Sequence, residues 1–288
     1  MTTSATGIVV PVCSKAPLLY LLTQKAAQKF GYVLGIEKDF NQEDYLFING
    51  IHVSKTMWEQ QDVPIYRYMD AEYLLSLLDS KKLYINNRQK FEDLNEHGWK
   101  LGLKGSFPPI PQEKNKQRQK ALNEESYAKW TSAYSCCISC WTRAIGNNTG
   151  CYSENYLMWK NYTSKYGIRI TTTYKNLVNC IDNHLNKDII LDNVAYSEDE
   201  IRSFHTKDMI FTKRAFYKDE REIRLCLLDN SGYYLLEINP EILIKEITFS
   251  PFMPIKIRII LQSYLENKHE WLKGKIFCSQ ICTKNNIF

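Results

Sequence analysis

Glycine and proline are both scarce in this chain, 12 and 9 among 288 residues, which excludes collagen-like and low-complexity architectures. No run of about 18 apolar residues occurs, so no segment is expected to cross a membrane as a helix. The first thirty residues lack a charged start followed by an apolar stretch and a small-residue cleavage site. The apolar run Pro17 to Leu22 is short and sits behind polar residues, and a cytoplasmic protein is expected. Glycine-rich phosphate cradles are missing too: there is no G-x-G-x-x-G after a strand and no G-x-x-x-x-G-K-[ST]. Any bound nucleotide would be held without one. G-x-S-x-G and H-E-x-x-H are equally absent, and no internal repeat of about 20–50 residues is visible.

What is present reads as an ordinary globular chain, 44% hydrophobic and 24% charged, ample for a core. Its length fits one large domain, or one domain with a small appendage. Lys and Arg number 37 against 32 Asp and Glu, a net +5 that permits a polyanionic partner without demanding one. The nine cysteines are odd in number and irregularly spaced, as expected of reduced thiols. Cys137-x-x-Cys140 and Cys278-x-x-x-Cys282 offer four thiolates for a zinc ion. However, Cys137 and Cys140 lie in a strand-like stretch where i and i+3 point to opposite faces, so buried free thiols are the competing reading and no metal site is assigned. The five histidines are scattered and form no ligand pattern.

Residues 1–60 read as an N-terminal appendage, with strand–turn–strand around Asn49-Gly50, and residues 61–288 as the main domain. Ile65 to Tyr68 reads as a strand. Asp70 is placed to cap a helix whose Leu74, Leu75, Leu77 and Leu78 form a stripe. Lys82 to Asn86 returns as a strand, 111–130 as a charged surface helix, and Tyr134 to Thr142 as a strand rich in Cys and Ser. Ser153 is placed to cap a helix through Trp159, and Gly167 opens the strand ending at Thr173. Further strands are expected at 192–196, 221–228, 233–238, 246–250 and 275–281, and helices at 174–186, 198–206 and 255–268. Many short strands with few scattered helices predict an α+β fold rather than a doubly wound parallel sheet.

The segment richest in chemistry is Tyr217 to Leu225, where Glu220 and Glu222 precede an apolar strand. In a strand, i and i+2 share a face, so the spacing predicts two carboxylates side by side, with Arg224 following. Paired like charges are costly unless something uses them. One use is stabilising an oxocarbenium-like transition state while an N-glycosidic bond breaks; the alternative is a solvated edge strand pairing its charges across the ladder. Arg67, flanked by Tyr66 and Tyr68, could grip a pyrophosphate bidentately while a ring stacks on a base, or be a surface arginine. Trp141-Thr142 and the stretch Met158-Trp159-Lys160-Asn161-Tyr162 supply further aromatic and hydroxyl groups, though a helical Trp is more often core.

Taken in order, these segments resemble a bacterial and phage family carried only as a domain of unknown function. Its signature is a Tyr-[Arg/Lys]-Tyr strand (Ile65 to Tyr68), a leucine-rich helix with a following strand (Leu83 to Asn86), an F-N-D-P-F-E box, a C-F-S strand end, M-W-x-x-Y and E-x-E-x-R. Here the box is Phe91-Glu-Asp-Leu-Asn-Glu96, keeping Phe91, Asp93 and Glu96, and the strand end is Cys140-Trp-Thr142. The family's layout is similar to that of ADP-ribosyltransferases, so the resemblance implies a split mixed or antiparallel sheet with peripheral helices and NAD as substrate. It also implies that Arg67 holds the NAD phosphates or ribose, with Tyr68 beside it. Thr142 would scaffold the site, Glu222 bind the nicotinamide-side ribose, and Glu220 orient or deprotonate the acceptor. Trp159 and Tyr162 would wall the pocket.

Enzymes of this resemblance are often toxins of toxin–antitoxin or phage-defence systems, which implies an antitoxin, and a chaperone beside it, as partners. Residues 1–60 are a place for such a partner to dock. The positive balance, the basic 113–120 stretch, 19 Tyr and 6 Trp tilt toward a nucleic-acid acceptor, RNA ahead of DNA, with a protein acceptor still open and a solvated helix face the competing reading of 113–120. Two alternatives stay open: a non-catalytic sensor module, and a metal-dependent nuclease built on Glu220, Glu222 and Asp93.

Overall fold

The computed structural model describes residues 42–88, 117, 136–146, 152–181, 188–198, 206–227 and 233–281. Among them an 11-stranded mixed sheet organises the chain, giving the α+β class expected from the pattern of short strands. Its strands are β1 (Tyr45–Ile48), β2 (Ile51–Ser54), β3 (Pro64–Asp70), β4 (Lys82–Asn87), β5 (Cys137–Arg143), β8 (Gly167–Thr173), β9 (Ile189–Asn193), β12 (Glu222–Leu227), β13 (Tyr233–Glu237), β14 (Glu246–Phe249) and β15 (Ile276–Cys278). Two small pairs stand apart: β6 (Ile145–Gly146) with β7 (Tyr152–Ser153), and β10 (Ala195–Ser197) with β11 (Thr212–Arg214).

The order across the sheet is β1-β2-β9-β12-β5-β3-β8-β14-β15. β5 has two partners on one side. Its end, Thr142 and Arg143, pairs with Tyr66 and Ile65 of β3, while its beginning, Ile138 and Cys137, pairs with Asn86 and Asn87 of β4. β3 and β4 therefore diverge along β5, and β13 continues from β4. The hairpin β1–β2, read from sequence as part of an appendage, belongs to this sheet, because β2 runs parallel to β9 through Ile51, His52 and Val53. Residues 1–41 lie outside the described part.

Alternation along the strands gives the sheet two unlike faces. One presents Ile65, Trp141, Ile170, Leu191, Ile223 and Leu225 to the main core. That core is closed by α2 (Ala71–Ser80), α4 (Tyr174–Asn179), α6 (Pro240–Leu243) and α7 (Ile255–Lys268), with α1 (Lys55–Trp58) adding Met57. The other face carries two smaller clusters. Ile138, Ile190 and Cys226 pack beneath α5 (Thr206–Phe211) through Ile210 and Phe211. Tyr66 and Tyr68 pack beneath α3 (Tyr156–Tyr162) through Met158 and Trp159. The charged residues of the candidate site lie between these two clusters.

Local signals set several boundaries. Lys81 ends α2 in the left-handed region, φ 54°, with its N–H on Leu77 O. Asp70 precedes α2 as expected but makes no capping bond to it; its carboxylate accepts the Ser164 N–H instead, at 2.7 Å. α3 is capped by Asn155, which accepts from Leu157 N and Met158 N, and not by Ser153, which pairs in β7. Gly167 begins β8 where a Cβ would stand 2.4 Å from the Thr163 side chain, so β8 can pass close beneath the end of α3. The helix expected at 111–130 and most of that at 198–206 lie outside the described residues.

Candidate functional site

The second face of the sheet gathers charge around one buried lysine. Glu222 opens β12 and is almost fully buried. Its Oε1 accepts from Arg224 Nε at 2.8 Å and its Oε2 from Arg224 Nη2 at 3.0 Å, a bidentate pair formed because i and i+2 share a face. Lys213, on β11 and only 2% exposed, lies 3.4 Å from Glu222 Oε2 and 2.6 Å from Glu220 Oε2. Its ammonium also sits 4.2 Å from the Tyr217 ring centre. Glu220 Oε1 accepts from the Tyr162 hydroxyl at 2.6 Å. The Glu222 N–H donates to the Tyr196 hydroxyl at 2.8 Å, and Arg224 Nη1 donates to Ile210 O. Two carboxylates thus share two buried cations, so their proximity is compensated.

The protonation behaviour follows from this packing. Burial alone would raise the Glu222 carboxyl, but the charges of Arg224 and Lys213, with hydrogen bonds from Arg224 and Cys140, overcome that and hold it at about 2. The Tyr162 phenol is pushed up from its ordinary value by burial and by its bond to Glu220. The Tyr196 phenol is pushed up to about 12, again chiefly by burial. Glu222 is therefore a fixed negative charge at any working pH.

Of the residues singled out from sequence, the structure joins some and separates others. Glu220 does not stand beside Glu222 on one strand. It ends a 3-10 turn, Ala215–Glu220, and Arg221 at φ 45° turns the chain before β12 starts. The two carboxylates meet through Lys213 instead. Thr142 pairs directly with Glu222 across β5 and β12 and with Tyr66 across β5 and β3, so Tyr66, Thr142 and Glu222 share one face. Thr142 Oγ1 lies 4.0 Å from Met158 Sδ. Tyr162, 45% exposed, reaches the pair through Glu220. Tyr68 and Trp159 lie further along the same face, packed edge-on at 4.9 Å. Trp159 is fully buried with its indole N–H on Glu154, a core residue rather than a pocket wall.

Arg67 is the main correction. It is one residue from Tyr66 and Tyr68, so its side chain leaves the opposite face of the sheet from Glu222. There Nη1 donates to Ser139 Oγ at 2.7 Å, Nη2 to Tyr84 O at 3.2 Å, and the guanidinium lies 5.6 Å from the Trp141 ring centre. Burial lowers its pKa to about 10. Arg67 fills the wedge where β3 and β4 diverge, and a ligand touching Glu222 does not reach it from that face. Besides Arg224 and Lys213, Glu222's face carries Arg169 of β8, paired with Tyr68. The sequence reading passed over Arg169, Lys213 and Tyr196. An arginine inside the apolar run Ile168-Arg169-Ile170 and a lysine just after Ile210-Phe211 were the available signals, because buried cations are rare without a partner.

The other options change as well. Cys137 faces the main core while Cys140 lies on the Glu222 side, so those two thiols cannot converge on one ion. Cys278 is exposed, and Cys282 lies outside the described residues. Among the described residues no group of three or more His, Cys, Asp or Glu is placed to hold a metal ion. Asp93, Phe91, Glu96 and the basic 113–120 stretch, Gln117 apart, also fall outside them. No helix among the described residues is long and apolar enough to cross a membrane.

Compared with known proteins, the chain matches no family model, no curated protein and no solved structure.

Proposed function

We propose that the chain is an NAD-consuming ADP-ribosyltransferase, acting as a cytoplasmic toxin in bacterial anti-phage defence under restraint by an antitoxin, with nucleic acid, RNA first, as acceptor. The observation that carries this reading is the meeting of Glu220, Glu222, Tyr162 and Lys213 at the start of a late strand, directly beside Thr142 of a middle strand. The early, middle and late strands of the proposed class, β3, β5 and β12, are neighbours in the sheet.

The reaction breaks the N-glycosidic bond of NAD, and positive charge develops at C1′ as nicotinamide leaves with the bonding electrons. The side chains divide that work by their accessibility. Glu222 has both oxygens occupied by Arg224 and serves as the buried anchor that keeps Lys213 and Arg224 in place. Glu220 is the carboxylate that reaches solvent, 17% exposed, so it faces C1′ and receives the proton of the attacking acceptor group. Tyr162 fixes the Glu220 rotamer from one side and Lys213 from the other. The hydroxyl of Thr142 lines the floor. Arg67 has no part in this assignment, and Arg169 takes its place as a cation of that face lying apart from the two carboxylates.

The test is incubation of labelled NAD with RNA, DNA and protein from lysate. Label on nucleic acid is expected from the wild type, and Glu220→Gln should lower transfer by about 10²–10³, the cost of losing an electrostatic stabiliser, with an unchanged melting temperature. No NAD consumption with any acceptor, or full activity of Glu220→Gln, overturns it. One observation favours a second reading, a non-catalytic sensor module: the bidentate Arg224 pair cancels much of the Glu222 charge. Phage protection undiminished in Glu220→Gln would select that reading.

A further inference from the structure

Arg169 lies on β8, 7% exposed, on the face it shares with Glu222. A guanidinium removed from water costs several kcal/mol unless an anion meets it. Arg224 meets that demand with Glu222; among the described residues Arg169 meets no carboxylate. Its Nη2 donates to Thr248 Oγ1 at 3.0 Å and its guanidinium lies 4.3 Å from the Tyr66 ring centre, but among the described residues Nε and Nη1 find no acceptor. The nearby carboxylate of Glu154 is held elsewhere, by Trp159 Nε1, Ser279 Oγ and Gln280 N.

The neighbours of Arg169 repeat the pattern. Thr171, two residues along β8 and on the same face, is 7% exposed with a hydroxyl that finds no partner among the described residues. Tyr68, opposite Arg169 on β3, brings its hydroxyl within reach of the guanidinium and of the Asn155 backbone, but among the described residues neither contact has the geometry of a full hydrogen bond. Unsatisfied buried polar groups are uncommon because each costs about 1–3 kcal/mol. Here three side chains on two adjacent strands carry them together, around one guanidinium that no carboxylate of the described residues meets directly.

We propose that Arg169, Thr171 and Tyr68 form a binding site for a phosphoryl group of a small nucleotide. Donors converging from three side chains out of one plane suit a tetrahedral oxyanion better than a flat carboxylate, and the guanidinium supplies the charge. The lid over the site is α3, a helix of seven residues that packs on β3 through Met158 and Trp159. The donor atoms have almost no exposed surface, so the ligand enters as α3 lifts. Thr171 stands in register with Tyr66, Thr142 and Glu222 across four adjacent strands, about 14 Å from β8 to β12 at ordinary strand spacing. A dinucleotide can span that distance. The inference rests on the transferase reading for the ligand's nicotinamide end alone; the phosphoryl site is tested without turnover.

The test is calorimetric titration of the full chain with pyrophosphate, ADP-ribose and adenosine. Pyrophosphate and ADP-ribose should bind, and adenosine should not. Arg169→Met should weaken both phosphoryl ligands about ten-fold or more, with Arg169→Lys between the two. The melting temperature of unliganded Arg169→Met should hold or rise, because the substitution removes a buried charge that no carboxylate of the described residues meets directly. Thr171→Val, close to isosteric, should also weaken pyrophosphate, and it decides the matter if Arg169→Met does not fold. Adenosine binding as tightly as ADP-ribose, no pyrophosphate binding, or unchanged affinity in both variants overturns the proposal. Intact pyrophosphate binding with no NAD turnover counts against the transferase reading alone.

Discussion

Glu222→Gln offers a test of the buried charge cluster that needs no substrate. The Glu222 carboxyl stands at about 2 in the folded protein against an ordinary 4.5, a gap equivalent to about 3 kcal/mol of stability. The sign is fixed by the direction of the shift. A depressed carboxyl stabilises the fold fully above its unfolded value, and that contribution fades as pH falls through the folded value. About 2 kcal/mol of it is lost by pH 3. The glutamine cannot ionise and lacks this dependence, and it leaves Arg224 and Lys213 short of a charge, so at pH 7 the variant should be about 3 kcal/mol less stable. Urea unfolding followed by tryptophan emission at pH 7, 5 and 3 measures both proteins, and the difference between them removes the other titrating groups. The wild-type advantage should shrink by about 2 kcal/mol between pH 7 and 3. An advantage that stays constant over that range would show that Arg224 and Lys213 do not hold Glu222 ionised, and the reasoning about the site fails with it.

Other outcomes follow from single contacts. Arg67→Met should cost about 1–3 kcal/mol through the lost bonds to Ser139 and Tyr84 while leaving NAD consumption unchanged; a large loss of turnover at unchanged stability would refute the placement of Arg67 on the opposite face. Gly167→Ala should destabilise by about 1–3 kcal/mol, since its Cβ would collide with Thr163 at 2.4 Å, and the drop should appear in thermal melts. Tyr162→Phe, at a half-exposed position, should change stability by less than about 1 kcal/mol. It should nevertheless lower NAD turnover several-fold by freeing the Glu220 rotamer, and a pH–rate profile identical to wild type at full rate would count against that role.

Much of the fold was legible locally. The alternation in Gly167 to Thr173, the leucine stripe of α2 and the Asn49-Gly50 hairpin each formed close to the expected bounds, because periodicity and turn chemistry are read over a few residues. The site was legible only in part. Glu220, Glu222, Thr142 and Tyr162 were identified as a group and do meet, but Glu222 was assigned a free carboxylate that Arg224 in fact occupies. The spacing of Glu220 and Glu222 implied one continuous strand, and the left-handed turn at Arg221 breaks it. Nothing in the adjacent residues announced that turn, since Arg is an unusual choice for positive φ. Lys213 and Arg169 were overlooked for a related reason: a lone cation in an apolar window looks like any surface charge until its neighbours are placed.

Residue order alone settled which face each side chain of a strand would share, so Tyr66 and Tyr68 were bound to oppose Arg67 once β3 formed. It could not settle which of those faces Glu222 would join. That depended on how β12, β5 and β3 lined up, and register between strands more than seventy residues apart is fixed by the packing of the whole sheet. A slip of one residue between β3 and β5 would have brought Arg67 to Glu222; the register that buries Ile65 and Trp141 in the main core turns it away.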